Sequence, residues 1–226
     1  MYIVQKVLTK LNNNECSGFL DPQELNDVKR KLDKNSYSIY YPYKDSEKNI
    51  IYNKRLPKVL LYEIKSKIKL KHQDILGTMF SLSISKYFFG DIIIINDRYF
   101  IYILDNMRNY FESNLLMIKN SHVELEEIDL NYLENYEREY QKIEIIVSSN
   151  RIDTIISNIC HIGRNNINEM IKNKEIMLNY DYLKNNSYKL KNDDIFSVKK
   201  IGKFKYNGII KNTKSNNLII EILKYI

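Results

Sequence analysis

Between Val59 and Ile128 the hydrophobic period of this chain switches back and forth between two and 3.6 residues. A stretch written that way can fold only as strands interleaved with helices. Val59 to Ile64 is a short apolar run suited to a strand, and Asp74 to Ile84 carries Ile75, Met79 and Leu82 at helical spacing. Asp91 to Ile95 and Tyr99 to Leu104 are two β-rich runs around an Asn96-Asp97 turn. Asp105 is placed to cap a second helix whose stripe is Met107, Tyr110, Phe111, Leu115 and Ile118, and His122 to Ile128 alternates as a last strand.

The resulting order, β-α-β-β-α-β, is the split βαβ arrangement of ferredoxin-like domains, which many RNA-recognition modules share. The fold class expected is therefore α+β. An RNA surface on such a sheet needs exposed aromatic side chains on its inner strands. Tyr99 and Phe100 must point to opposite sides of one strand, and no RNP-type pattern is present. The expectation for this acidic stretch is a structural or protein-contact role.

Upstream, the three prolines Pro22, Pro42 and Pro57 all fall in the first quarter of the chain. Asp21 is a candidate N-cap with Pro22 at the first helical position, followed by Leu25, Val28 and Leu32 on one face. Asn35 to Pro57 reads as polar, tyrosine-rich and irregular. Downstream, an acidic run from Glu124 to Glu144 is expected as a helix or linker. Three regions follow: a helical N-terminal region at 1–57, an RRM-like middle domain at 58–147, and a third domain at 148–226.

Charge is also divided unevenly along the chain. The 226 residues carry a formal net charge of +7, with fifteen bases and eight acids in 1–71, six and thirteen in 72–147, and fourteen and seven in 148–226. Residues 1–147 together sum to zero, which leaves the whole excess in 148–226 and suits a polyanionic partner there. Apolar runs such as Ile92 to Ile95 are far shorter than the roughly 20 residues of a membrane span. Lys6 and Lys10 precede no apolar block, so a cytoplasmic protein without a membrane partner is expected. Cys16 and Cys160 belong to no metal-binding or redox motif, which leaves reduced, buried thiols and no metal or cofactor as the expectation.

In the third domain, Arg151 opens a helix in which Ile152, Ile155, Ile156, Ile159 and Cys160 form one apolar stripe. Gly163 is expected to supply the unusual backbone that restarts a second helix, with Ile167, Met170 and Ile171 repeating the stripe. Arg164, Asn165 and Asn166 then sit where free amides and the helix dipole favour a phosphate. Ile176 to Leu178 and Ile195 to Val198 read as strands. The run Lys199-Lys200-Ile201-Gly202-Lys203-Phe204-Lys205 sets four bases around a glycine, and period two puts Lys203 and Lys205 on one face.

The string from Arg151-Ile152-Asp153 through Gly163-Arg164, Ile171 to Asn179, Asp194 to Val198 and Gly202-Lys203-Phe204 resembles the S-four domain, an RNA-binding fold. That family's pattern has Ser where Gly163 stands, and Gly where Lys174 and Asp193 stand. Its last Arg is replaced by Lys203, and bases it often carries inside the second helix are Asn166 and Asn168. Together with Phe19-Leu20-Asp21-Pro22, Lys71 to Gly77 and Gly90-Asp91-Ile92 upstream, the chain is similar to the bacterial YlmH family across nearly its whole length. Of an arginine-rich segment before Pro57, only Asn53-Lys54-Arg55 remains.

The resemblance implies a non-catalytic protein that docks on ribosomal RNA and tRNA of the large ribosomal subunit, in quality control of stalled nascent chains, and is monomeric when free. The RNA-contacting residues it implies are Arg151, Arg164, Asn165, Lys172, Lys199, Lys200, Lys203 and Lys205. Two other readings compete: a pseudouridine-synthase-like RNA-modifying enzyme, and a protein adaptor using the acidic middle domain. In the synthases a large catalytic domain follows the S-four module, whereas fewer than twenty residues follow Gly208 here. His72 and Asp74, two apart near a helix start, diverge too far for an acid–base couple. His122 and His161 have no ligand spacing, and no nucleotide-cradling or hydrolase motif occurs.

Overall fold

Asp21 opens its helix by a reciprocal pair of hydrogen bonds: the Glu24 amide donates to its carboxylate at 2.9 Å, and the Asp21 amide donates to the Glu24 carboxylate at 3.1 Å. The computed structural model describes residues 2–33 and 35–225, with only the backbone described at Tyr2 and Arg164. It divides into two units, Met1–Glu137 and Arg138–Ile226.

The first unit begins with α1 (Tyr2–Asn12), β1 (Phe19–Leu20), α2 (Pro22–Lys29), β2 (Ser38–Tyr40) and β3 (Asn49–Tyr52). The stretch expected to be irregular thus contains two strands. They join β1 in a small sheet ordered β1-β3-β2, and Ile51 buries itself with Val7 and Leu11 of α1 and Leu25 and Val28 of α2. Next come β4 (Val59–Ser66), α3 (His72–Ser81), β5 (Phe89–Ile95), β6 (Arg98–Leu104), α4 (Arg108–Asn114), β7 (Met117–Ile118) and β8 (Ser121–Ile128). Their sheet is antiparallel in the order β5-β6-β4-β8-β7, so β6 lies between the two strands that α3 connects. The Asn96-Asp97 turn has φ of 49° and 60°, the positive pair that a tight hairpin requires.

At the start of α3, Asp74 sits in the first turn, accepts the Lys71 amide at 2.7 Å and pairs with Lys119 at 2.7 Å. The next helix start differs from expectation. Asp105 begins a 3-10 turn ahead of α4, and the helix ends at Asn114, so Leu115 and Ile118 reach the core from the loop and strand beyond it.

The β6 alternation divides this unit's core. Tyr99, Ile101 and Ile103 face the side packed with Ile75, Met79 and Phe111 of the helices. Phe100, Tyr102 and Leu104 face the other side, where Phe19, Tyr43, Ile50 and Leu133 cover them. Tyr43 stacks on Tyr102 with ring centroids 5.9 Å apart, and Tyr132 lies 5.5 Å from Phe100. The aromatic side chains that an RRM-like sheet would offer to bases are buried under the N-terminal region.

The acidic run from Glu124 to Glu144 is neither helix nor linker throughout. It forms the rest of β8, a short 3-10 turn, and then β9 (Tyr140–Val147), which belongs to the second unit. There follow α5 (Ile152–Cys160), α6 (Arg164–Lys172), β10 (Ile176–Leu178), β11 (Asp181–Tyr182), β12 (Ile195–Val198), β13 (Gly202–Asn212) and β14 (Leu218–Tyr225). The sheet order is β11-β10-β12-β13-β14-β9, and β9 pairs antiparallel with β14 along its whole length. One face is packed under the helices: Phe196, Val198, Phe204, Tyr206, Ile220 and Ile222 meet Ile152, Ile155, Ile156 and Ile167. Nineteen bases and nineteen acids lie in 1–137, and sixteen bases and nine acids in 138–226, so the whole net charge resides in the second unit.

Cys16 and Cys160 are both free thiols, and both are half-buried rather than fully enclosed. Burial raises the Cys160 thiol above its ordinary value, which makes it less reactive. Among the described residues no helix is long and apolar enough to cross a membrane.

Candidate nucleic-acid interface

Helix ends shape this region. Gly163 has φ −64° and ψ 148°, ordinary extended backbone, and a side chain there would meet no heavy atom within 4 Å. The left-handed residue is His161, at φ 53°, and the Ile162 amide reaches back to the Ser157 carbonyl at 3.2 Å. The turn that was expected of the glycine is made two residues earlier, by a histidine. Lys174 ends α6 in the same way: its φ is 57°, its amide donates to Ile171 at 3.0 Å, and the Glu175 amide donates to Met170 at 2.8 Å. Asp193, the other position where the S-four pattern has glycine, has φ 70°. Both substituted positions keep a left-handed backbone.

These turns gather charge. The β12–β13 connection is tight, with the Ile201 amide on the Val198 carbonyl at 3.0 Å and Lys200 at φ 66°. It is fastened to the end of α6 by the Lys199 amide, which donates to the Glu175 carbonyl at 2.9 Å. Between them lies an open groove of about 640 Å³ lined by Lys174, Lys199, Lys200, Tyr182, Met177 and Ser197, with Glu175 its acid. Tyr182 is 45% exposed, and the Lys174 ammonium lies 5.6 Å from its ring centroid. Lys172, in the last turn of α6, is exposed two residues before Lys174. Three or four ammonium groups beside a tyrosine ring and a methionine can hold a phosphate while offering apolar surface to a sugar or base.

The other sequence-selected residues are placed differently. Arg151 turns its guanidinium onto the buried Asp153, with contacts of 3.0 Å and 2.6 Å, and its charge is thereby used inside the unit. Burial acts to raise the Asp153 carboxyl, but bonds from Arg151 and from the Thr154 amide and hydroxyl hold it below its ordinary value. Lys203 and Lys205 do share a face of β13, opposite the buried Phe204. Lys205 pairs with Asp193 at 2.8 Å, and the Lys203 ammonium lies over the rings of Tyr180 and Tyr225. Asn165 is exposed in the first turn of α6, whose N-cap Gly163 gives no side-chain bond to the helix amides. The Arg164 side chain lies outside the described residues.

Lys174 and Tyr182 were missed by sequence reasoning. Lys174 was noted only as a lost glycine, yet that left-handed cap is what aims it into the groove region. Tyr182 carries no local signal at all.

Residues 58–132 match the family model described as "Putative RNA-binding domain in YlmH". The matched stretch is 75 of the chain's 226 residues. It is 22% identical over 149 residues to the Ribosome-associated protein quality control protein P2 of Bacillus subtilis (strain 168), a match covering 66% of this chain and 58% of that protein. The chain thus matches less than two thirds of that relative's length. Among solved structures it is similar to the cell division protein ylmH from Streptococcus pneumoniae, at 18% identity and a TM-score of 0.49, covering 58% of this chain and 90% of the other. The matched segment is the ferredoxin-like part of the first unit, for which the sequence alone suggested a structural or protein-contact role. Its family description instead speaks of RNA.

Proposed function

We propose that this chain is a non-catalytic RNA-binding protein of the ribosome. It docks on ribosomal RNA of the large subunit and on peptidyl-tRNA, and works in quality control of stalled nascent chains in the cytoplasm, as a monomer when free. The observation that carries the reading is the groove at the end of α6, where Lys174, Lys199 and Lys200 converge beside Tyr182 in the unit that holds all of the net charge. The match of residues 58–132 to an RNA-binding domain model and the quality-control name of the Bacillus relative support it from outside the groove. The buried state of Phe100 and Tyr102 means that any RNA contact of the first unit uses its loops or edges, not its inner strands.

The groove supplies position through phosphates rather than sequence through base edges. Binding should therefore fall steeply with salt. Each phosphate contact removed by Lys199→Gln or Lys200→Gln should lower the slope of log K against log salt by about one unit. Co-sedimentation of the full chain with purified large ribosomal subunits over a salt series reads this directly. Unchanged slopes in both single variants and in the pair would remove the groove from the interface.

A further inference from the structure

The face of the second sheet turned away from α5 and α6 has a composition that the groove does not explain. On β13 and β14 the alternation sends Lys203, Lys205, Leu223 and Tyr225 to this face, and the register sets Tyr225 beside Tyr140 of β9. The rings of Tyr140 and Tyr225 meet edge to face, 5.1 Å apart at 86°. The Lys203 ammonium lies 4.5 Å from the Tyr225 ring centroid and 4.7 Å from that of Tyr180, and the Arg138 guanidinium lies 5.5 Å from Tyr225. Three tyrosine rings and two cations thus form one cluster at one end of the sheet. The exposed side chain toward the other end of β9 is aliphatic, Ile146.

Tyr180 reaches the cluster at a cost in backbone strain. It is the second residue of the two-residue turn between Leu178 and Asp181, at φ 66°, where glycine is the usual occupant and a bulky residue is an outlier. The turn is clamped by Asn179. Its amide donates to the Ile195 carbonyl at 2.7 Å, its side-chain oxygen accepts the Ile195 amide at 2.9 Å, and its side-chain nitrogen donates to the buried Asp194 at 2.7 Å. A strained residue so firmly held is a feature of sites that must present a group in one orientation.

We propose that this face is a stacking site for an unpaired RNA nucleotide, whose base stacks on one ring of the cluster formed by Tyr180, Tyr225 and Tyr140 and packs against the others, while Lys203 and Arg138 meet its phosphates. The chemistry selects that ligand. A phosphate alone has no use for three rings, an apolar protein segment has no use for two cations among them, and a nucleotide uses both. The proposal rests on the RNA-binding reading above, and it adds a second contact of a different kind: stacking on a splayed-out base, distinct from the salt-dependent groove.

The test uses the full chain and two labelled RNAs of equal length, an unstructured oligouridine and a stable hairpin with a short closed loop. Tyr180→Leu with Tyr225→Leu should weaken the oligouridine on the order of ten-fold or more while leaving hairpin affinity unchanged, which also certifies the fold. Tyr180→Phe with Tyr225→Phe should retain oligouridine affinity, because stacking needs the rings and not the hydroxyls. Lys199→Gln with Lys200→Gln should weaken both RNAs. Oligouridine affinity unchanged in the double-leucine variant overturns the stacking site and leaves the groove standing. Wild-type protein that binds neither RNA overturns the RNA-binding reading and the stacking site together.

Discussion

The two larger sheets of this protein use their aromatic residues in opposite ways. Each is covered by a pair of helices on one face, and each carries tyrosines on the other. In the first unit the N-terminal region lies over that second face, so Phe100 and Tyr102 are core. In the second unit both helices lie on the Phe196 side, and Tyr140, Tyr180 and Tyr225 remain half-buried around Lys203. The charge follows the cover: the first unit sums to zero and the second keeps the excess. An RRM-like topology is therefore a poor guide to where a base would stack, because what lies over the sheet decides it.

The sharpest way to break this comparison is to remove one ring from each sheet. Tyr102→Ala opens a cavity in a fully buried cluster and should cost about 3–5 kcal/mol in urea unfolding. Tyr225→Ala removes a half-buried ring and one edge-to-face contact, and should cost about 1 kcal/mol. Equal losses would mean that the second sheet's outer face is as much a core as the first's.

A smaller effect concerns how much of the second unit's charge faces outward. Arg151→Gln strips the partner from the buried Asp153 carboxylate and should lower stability in urea unfolding by less than Tyr102→Ala does, because Arg151 is 40% exposed. The folded Asp153 titrates below its ordinary value of 3.8, so the stability it adds is complete above that value and is lost as pH falls through the lower folded value. The gap between wild type and variant should hold steady down to about pH 4 and close below it. The salt slope of ribosome binding should not change. A reduced slope would return Arg151 to the RNA-contacting surface.

Much of this architecture is legible in the sequence, since periodicity registers side chains that face a core. The βαββαβ order, the Asp21 cap, the paired stripes of α5 and α6 and the shared face of Lys203 and Lys205 all follow from local spacing. What escaped has a common physical origin in long-range pairing. Tyr140–Val147 is a strand because β14 lies beside it, and its acidic surroundings hide that. Asn49–Tyr52 is a strand because Phe19–Leu20 pairs with it. The groove and the tyrosine cluster escaped for the same reason, since Tyr182, Lys174 and Lys199 meet only through the sheet. Gly163 misled in a different way. With six glycines in the chain, left-handed helix ends fall to Asn14, Ser83, His161 and Lys174.

That substitution of function for ease yields the smallest prediction and the most specific one. Lys174 holds a left-handed backbone that costs a side-chain-bearing residue about 1–2 kcal/mol. Glycine would relieve it, while losing about 0.5–1 kcal/mol through the greater freedom of the unfolded chain. Lys174→Gly should therefore raise stability by about 0.5–1 kcal/mol in urea unfolding. It should also weaken RNA binding, because the ammonium beside Tyr182 is gone. Lys174→Gln keeps the strain and removes only the charge, so it should match the glycine variant in RNA affinity and the wild type in stability. If Lys174→Gly gains stability without losing affinity, the lysine is a tolerated accident of composition, and the groove needs only Lys199 and Lys200 to meet its phosphate.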